Sequence, residues 1–183
     1  MNKKHSILFT GHMIDKKDRK KSRFPANKEI MVREEILKYL IQEKKAANNE
    51  LTGIAGGACG GDILFHELCE DIGIPSEMYL TLPFEEFKKS SVSFAGKEWD
   101  QRFDRLTKKI TVHILPIEKR DNKKNNIWEQ TNLWMLDQAL QIEKENMTLI
   151  ALWDGKDGDG NGGTEHMINT AKAKGARINI INI

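Results

Sequence analysis

The stretch Leu51-Thr52-Gly53-Ile54-Ala55-Gly56-Gly57-Ala58-Cys59-Gly60-Gly61-Asp62 decides the fold. Five mostly apolar residues read as a buried strand, and the glycines that follow end it. Straight after them, Leu64, Leu68 and Ile72, flanked by Phe65 and Cys69, recur at helical spacing. Strand, glycine loop and helix in that order form one half of a βαβ unit, which points to a parallel sheet.

The same rhythm runs through the rest of the chain. Ser6–Thr10 runs into Gly11, Met78–Leu82 stops at Pro83 and Ile110–Leu115 stops at Pro116. Met147–Trp153 ends at Asp154-Gly155, and Arg177–Ile183 closes the sequence. Runs this apolar imply a sheet covered on both faces. Helical stripes lie between them: Val32, Ile36, Leu37, Leu40 and Ile41; then Leu133, Leu136 and Leu140; then His166–Lys174, stopped by Gly175. Residues 84–109 hold room for two further short helices. The expectation is α/β: one Rossmann-like three-layer sandwich spanning residues 1–183, with a largely parallel sheet of about six strands. Asp15–Arg23 and Glu118–Asn126 are charged, lack apolar period and read as loops.

The composition supports this and narrows the function. The chain has 183 residues, 39% hydrophobic and 31% charged, enough apolar material for a core. Twenty-nine Lys and Arg face 27 Asp and Glu, so no cationic excess favours nucleic acid as a partner. Two cysteines, Cys59 and Cys69, make no disulfide framework and suit a reducing, cytoplasmic setting. No apolar stretch is long enough to span a bilayer, and no secretory core follows the first residues.

In a parallel α/β sheet ligands bind beyond the carboxyl ends of the strands, so the text after each strand carries the function. After the first strand come Gly11, His12 and Asp15, then a basic loop reaching Arg23-Phe24-Pro25. After the second come Gly56, Gly57, Ala58, Cys59, Gly60, Gly61 and Asp62. After the fifth come Asp154 and, ahead of the last helix, Gly162, Gly163, Thr164 and Glu165. Glycine lets a ligand approach the backbone, and a helix start offers unpaired N–H groups and a positive dipole end. Gly56–Gly61 and Gly162–Thr164 are therefore candidate phosphate cradles; the plain alternative is that each makes a tight turn.

Other residues carry paired readings. Glu129 falls on the Leu133–Leu136–Leu140 stripe at the ligand edge, with Asn132 beside it: it is either a ribose acceptor or a carboxylate complementing a helix start. Trp134 falls on the opposite, exposed face, where a partner could dock. Arg102 shares a face with Trp99, Phe103 and Leu106, and is either a paired structural guanidinium or a phosphate clamp. Asp157, Asp159, Asn161 and Gly162 match the first positions of a calcium loop, but Ile168 replaces the closing glutamate. Cys59, His66 and Cys69 lack four-ligand zinc spacing, so no metal is expected.

Taken together, Gly56–Asp62, Gly162–Thr164, Gly11-His12 with Asp15, Arg23-Phe24-Pro25, Leu82-Pro83-Phe84, Trp99 with Arg102-Phe103, Trp134-Met135-Leu136 and Ala151–Gly155 resemble the SLOG superfamily. That superfamily of Rossmann-like domains includes the "lonely guy" phosphoribohydrolases and the DNA-processing Smf (DprA) proteins. The closer resemblance is to a bacterial subgroup found near signalling or defence modules, and it covers nearly the whole chain. It implies a nucleotide or nucleotide-derived ligand at the glycine loops, sensed and reported to an effector protein or a second copy, with no firm cofactor. It also implies an enzymatic alternative, N-glycoside cleavage or transfer on a nucleoside phosphate, with Glu129, Asp62 or Glu165 as the catalytic carboxylate. The phosphoribohydrolase motif runs Pro-Gly-Gly-x-Gly-Thr-x-x-Glu, whereas here the position three after Thr164 is Met167. Glu165 is two residues away, a turn of about 200° on a helix. Sensing is therefore the first expectation, cleavage the second, and a protein-interaction domain without a ligand the third.

Overall fold

The structure is a computed structural model describing residues 4–47, 50–120, 126–142, 147–156 and 163–183. Among these residues six strands form one sheet: β1 (His5–Gly11), β2 (Leu51–Ala55), β3 (Ser76–Leu80), β4 (Thr111–Ile114), β5 (Met147–Trp153) and β6 (Arg177–Asn182). Their order is β4-β3-β2-β1-β5-β6, and all five pairings are parallel. From β1 the chain builds outward to β4 on one side, then crosses to β5 on the other. The strand order therefore reverses between β1 and β5, which opens a crevice beyond their carboxyl ends.

Among the described residues six α-helices cover the sheet: α1 (Glu29–Ala46), α2 (Gly61–Asp71), α3 (Phe84–Ser91), α4 (Lys97–Thr107), α5 (Ile127–Ile142) and α6 (Thr164–Ala173). Side chains alternate across each strand, and the two faces feed two separate cores. Ile7 and Phe9 of β1 pack with Val32, Ile36 and Leu40 of α1, Leu64 and Phe65 of α2, and Trp99 and Phe103 of α4. Leu8, between them, packs with Met135, Leu136 and Ala139 of α5 and with Met167 and Ile168 of α6. Each fully buried Leu, Ile or Phe contributes roughly 1.5–3 kcal/mol, so the central strands β1 and β5, buried along nearly their whole length, anchor the fold.

The three-layer α/β expectation holds, and two details change. On α5 the buried face carries Thr131, Met135, Leu136 and Ala139 rather than a leucine stripe; Leu133 and Leu140 are only half-buried. Trp134 is not on an exposed face. Its ring packs edge-on to Tyr79, with centroids 4.8 Å apart. No helix among the described residues is long and apolar enough to cross a membrane.

Candidate functional site

A cavity of about 390 Å³ opens at the carboxyl ends of β1, β2, β3 and β5. Its wall contains Gly11, His12, Arg23, Gly56, Ala58, Asp62, Asn132, Gly163, Thr164 and Glu165, ten positions singled out from the sequence. Strand order explains the convergence: the loops after β1, β2 and β5 belong to three adjacent strands, although residues 12 and 154 are far apart along the chain.

His12 and Asp154 mark the point of reversal. The His12 amide continues the β1–β5 ladder by donating to the Leu152 carbonyl at 3.2 Å. The ring Nε2 then faces Asp154, 3.1 Å from Oδ1 and 3.2 Å from the backbone nitrogen. With a proton on Nε2 the ring donates to the carboxylate; without one it accepts the Asp154 N–H. Burial lowers the His12 pKa, against the opposing pull of Asp154. Burial also works against charge on Asp154, but the Lys156 amide, His12 and Arg23 outweigh it and hold the carboxyl below its ordinary value. Arg23 Nε lies 3.7 Å from Asp154 Oδ2.

Asp15 does not line the cavity. Its carboxylate accepts the Arg23 amide at 2.9 and 3.1 Å and the Ser22 hydroxyl at 2.7 Å, tying the basic loop back on itself. That tie presents Arg19 and Arg23 to the cavity wall.

The Gly56–Gly61 loop corrects a sequence expectation. Most of its glycines serve packing rather than a phosphate. A Cβ on Gly57 would lie 2.8 Å from Leu80 Cδ2 and from Met78 Sδ; one on Gly61 would lie 2.9 Å from the Phe9 ring. Gly60 adopts φ +101°, and a Cβ there would meet the Ile14 amide at 2.7 Å and the His12 carbonyl at 2.8 Å. The loop amides are committed as well. Cys59 N–H donates to the Ser91 carbonyl, Gly61 N–H to the His12 carbonyl and Ala58 N–H to Asp62 Oδ2. Cys59 is fully buried, and burial pushes its thiol up to about 12, so it is no nucleophile. Only Gly56, Ala58 and Asp62 of this motif face the cavity.

Asp62 is the chemically unusual group of the wall. Its one hydrogen bond among the described residues is the Ala58 amide at 3.2 Å. Burial pushes its carboxyl up to about 7, and that amide only partly opposes the shift. Gly56 leaves it room: a Cβ there would lie 2.5 Å from Asp62 Oδ2.

The start of α6 forms another part of the wall. Gly163 is its N-cap, no side chain among the described residues caps it, and Thr164 and Glu165 in its first turn line the cavity. Gly162 and the whole calcium-like pattern lie outside the described residues. Glu129 is buried just off the wall, with His166 Nε2 3.3 Å from its Oε1, and its amide is capped by Asn126 Oδ1 at 2.8 Å.

Arg102 is not a clamp over this cavity. Its guanidinium donates to Glu67 at 2.7 and 3.0 Å and to Glu29 at 2.7 Å, and it stacks 4.0 Å from the Trp99 ring centroid. Arg33 and Arg105 bind the same Glu67, tying α1, α2 and α4 together. Burial opposes charge on Glu67, but these guanidinia outweigh it and hold its pKa low. His66 is no zinc ligand either. Nε2 donates to the Gly56 carbonyl and Nδ1 accepts from the Ser76 hydroxyl, both at 2.9 Å, so both ring nitrogens are used.

Sequence reading missed the aromatic lining. Phe87 from α3, Trp128 from α5, Tyr79 from β3 and Trp153 from β5 also line the cavity, as do Thr10, Thr81, Ser90 and Ser91. Trp128 is 39% exposed, its ring centroid 6.1 Å from that of Phe87. The available signal was position: Thr81 directly follows β3, and Trp128 sits in the first turn of a helix that follows a strand.

No protein-family model matches this sequence, and no curated protein matches it. Among solved structures, DNA processing protein A (DprA) from Streptococcus pneumoniae is similar over 96% of this chain and 58% of its own, at 13% identity and a TM-score of 0.35. The chain thus spans less than two thirds of that protein's length. The likeness is distant, and the α/β architecture rests on the sheet itself.

Proposed function

We propose that the protein binds a nucleotide or nucleotide-derived ligand in the carboxyl-edge cavity and reports its presence to an effector protein or a second copy of itself. The observation that carries this reading is the mixed lining of the cavity. Arg19, Arg23 and the start of α6 line it together with Phe87, Trp128 and Trp153. Guanidinia and helix N–H groups suit a phosphate, and aromatic faces suit a base. Hydroxyls of Thr10, Thr81, Ser90 and Ser91 suit a sugar. The volume falls within the roughly 300–1,000 Å³ of small-ligand pockets.

The test is a panel of nucleotides, dinucleotides and NAD derivatives, read by thermal shift. Ligand at a hundred times its Kd raises Tm by about 5–10 °C for a chain of this size. Chromatography of the same mixtures separates sensing, which leaves the ligand intact, from cleavage, which releases free base. Cleavage remains the second reading because two carboxyls, Asp62 and Glu165, stand in the wall. A panel that shifts nothing overturns both.

A further inference from the structure

Asp62 presents a puzzle that the binding reading alone does not resolve. A pocket suited to an anionic ligand carries a carboxyl in its wall, and an ionised carboxylate there would repel that ligand. The geometry removes the conflict. Among the described residues no cation lies within ion-pair distance of Asp62, and its carboxyl receives a single hydrogen bond, from Ala58 N–H to Oδ2. Of the two guanidinia in the wall, Arg19 Nε lies 3.5 Å from Asp15 and Arg23 Nε 3.7 Å from Asp154. Gly56, with no Cβ, leaves the space in which the carboxyl lies.

Resting on the proposed binding site, we infer that Asp62 is a specificity-determining residue: its carboxylic acid donates a hydrogen bond to an acceptor atom of the bound ligand. One oxygen takes the Ala58 amide, which leaves the other to carry the proton toward the cavity. A ligand must then offer a lone pair at that point, either a carbonyl or ring nitrogen of a base or a phosphate oxygen. A ligand presenting an N–H there would leave two donors facing each other.

Burial favours the neutral acid, and the cations of the wall, which would favour the carboxylate, sit beside other carboxylates. From the β1 loop come His12, whose pKa is lowered, and Arg19 and Arg23, both beside carboxylates. From β3 comes Tyr79, whose hydroxyl donates to Glu77. From α6 comes Glu165. The wall residues from α3 and α5 are uncharged, with Glu129 of α5 buried just off the wall beside His166, and Cys59 in the loop is a buried thiol. Burial carries Asp62 up to about 7, so it is protonated in a useful fraction of molecules near neutrality.

The test uses the whole chain and the methyl ester of adenosine 5′-monophosphate, whose one phosphate charge is constant over the range used. Calorimetric titrations at about pH 6 and about pH 8.5 compare the wild type with Asp62→Asn, whose amide donates at any pH. Loss of the proton weakens wild-type binding by roughly thirtyfold between the two conditions, while Asp62→Asn keeps its acidic affinity at both. Adenosine alone separates the acceptor's source: the same pH dependence places it on the nucleoside, and its absence places it on the phosphate. Wild-type binding that is flat with pH, or Asp62→Asn that loses affinity at both, overturns the inference. A carbon NMR titration of the Asp62 carboxyl needs no ligand: a midpoint near 7 supports the donor, and one in the ordinary range of about 3–5 overturns it. No heat with the probe, alongside a midpoint near 7, counts against the nucleotide and leaves the donor supported.

Discussion

Adding one methyl group at Gly60 tests the closest approach in the site. Gly60 sits at φ +101° with its Cα against the loop that follows β1, where Met13 and Gly60 form an antiparallel bridge. An alanine Cβ would lie 2.7 Å from the Ile14 nitrogen, 2.8 Å from the His12 oxygen and 3.0 Å from the Met13 carbon. All three are backbone atoms and cannot rotate away. The left-handed backbone alone costs about 1–3 kcal/mol in a residue with a side chain. Separating the two loops also costs the Gly61 and Ile14 backbone hydrogen bonds, each worth about 1 kcal/mol. Gly60→Ala is therefore expected to lose about 3–5 kcal/mol. Gly73 supplies the control: at φ +68° its nearest neighbour to a new Cβ is the tip of Lys44, 3.9 Å away. Gly73→Ala bears only the backbone cost, about 1 kcal/mol. Urea unfolding followed by circular dichroism measures both. Equal losses in the two variants would refute the close packing of the β1 and β2 loops.

Four further outcomes follow from the same contacts. Arg102→Ala is expected to destabilise the fold by about 2–4 kcal/mol, since it leaves Glu67 and Glu29 short of a partner, while calorimetry finds nucleotide affinity unchanged. Trp128→Ala is expected to cost about 1–3 kcal/mol of ligand binding by calorimetry, alongside a lower Tm because the ring also packs near Phe87. His66 is held neutral, its pKa lowered by burial to about 4. Its contribution is present above about pH 6.5 and is lost as pH falls toward 4, about 3 kcal/mol in all, so the stability of Asp62→Asn falls on acidification. Asp62 has the opposite sign. With its pKa raised to about 7 it loses stability as pH rises from about 4 to 7, so in denaturant titrations His66→Gln becomes less stable over that interval.

How far the sequence could be read depended on where each contact partner lay. Leu51–Ala55 and Met147–Trp153 match β2 and β5 residue for residue, because continuous apolar runs ended by glycine or Asp-Gly are local signals. β3 begins earlier than Met78, at Ser76, because pairing with Gly53 of β2 extends it past the apolar run. The helix His166–Lys174 begins two residues earlier, at Thr164, with Gly163 as its cap. The part of the site contributed by His12, Arg23, Asp62 and Thr164 was visible because it follows strands. The role of Arg102 was not, since its carboxylate partners lie 35 and 73 residues away. Nor could composition separate a phosphate cradle from a packed loop at Gly57, Gly60 and Gly61. The atoms that fill their empty space belong to Leu80, Met78, Ile14 and Phe9, which only the folded sheet brings there. The aromatic lining residues Tyr79, Phe87, Trp128 and Trp153 come from four separate elements and gave no local motif.

Amide NMR on the isotope-labelled chain, titrated with a panel of nucleoside mono- and diphosphates, addresses the central claim most directly. At least one member should move the resonances of Gly11–Met13, Gly56, Ala58 and Gly163–Glu165 together, with the Trp128 indole. Silence from every member, or changes confined to the amino ends of the strands, would contradict the account.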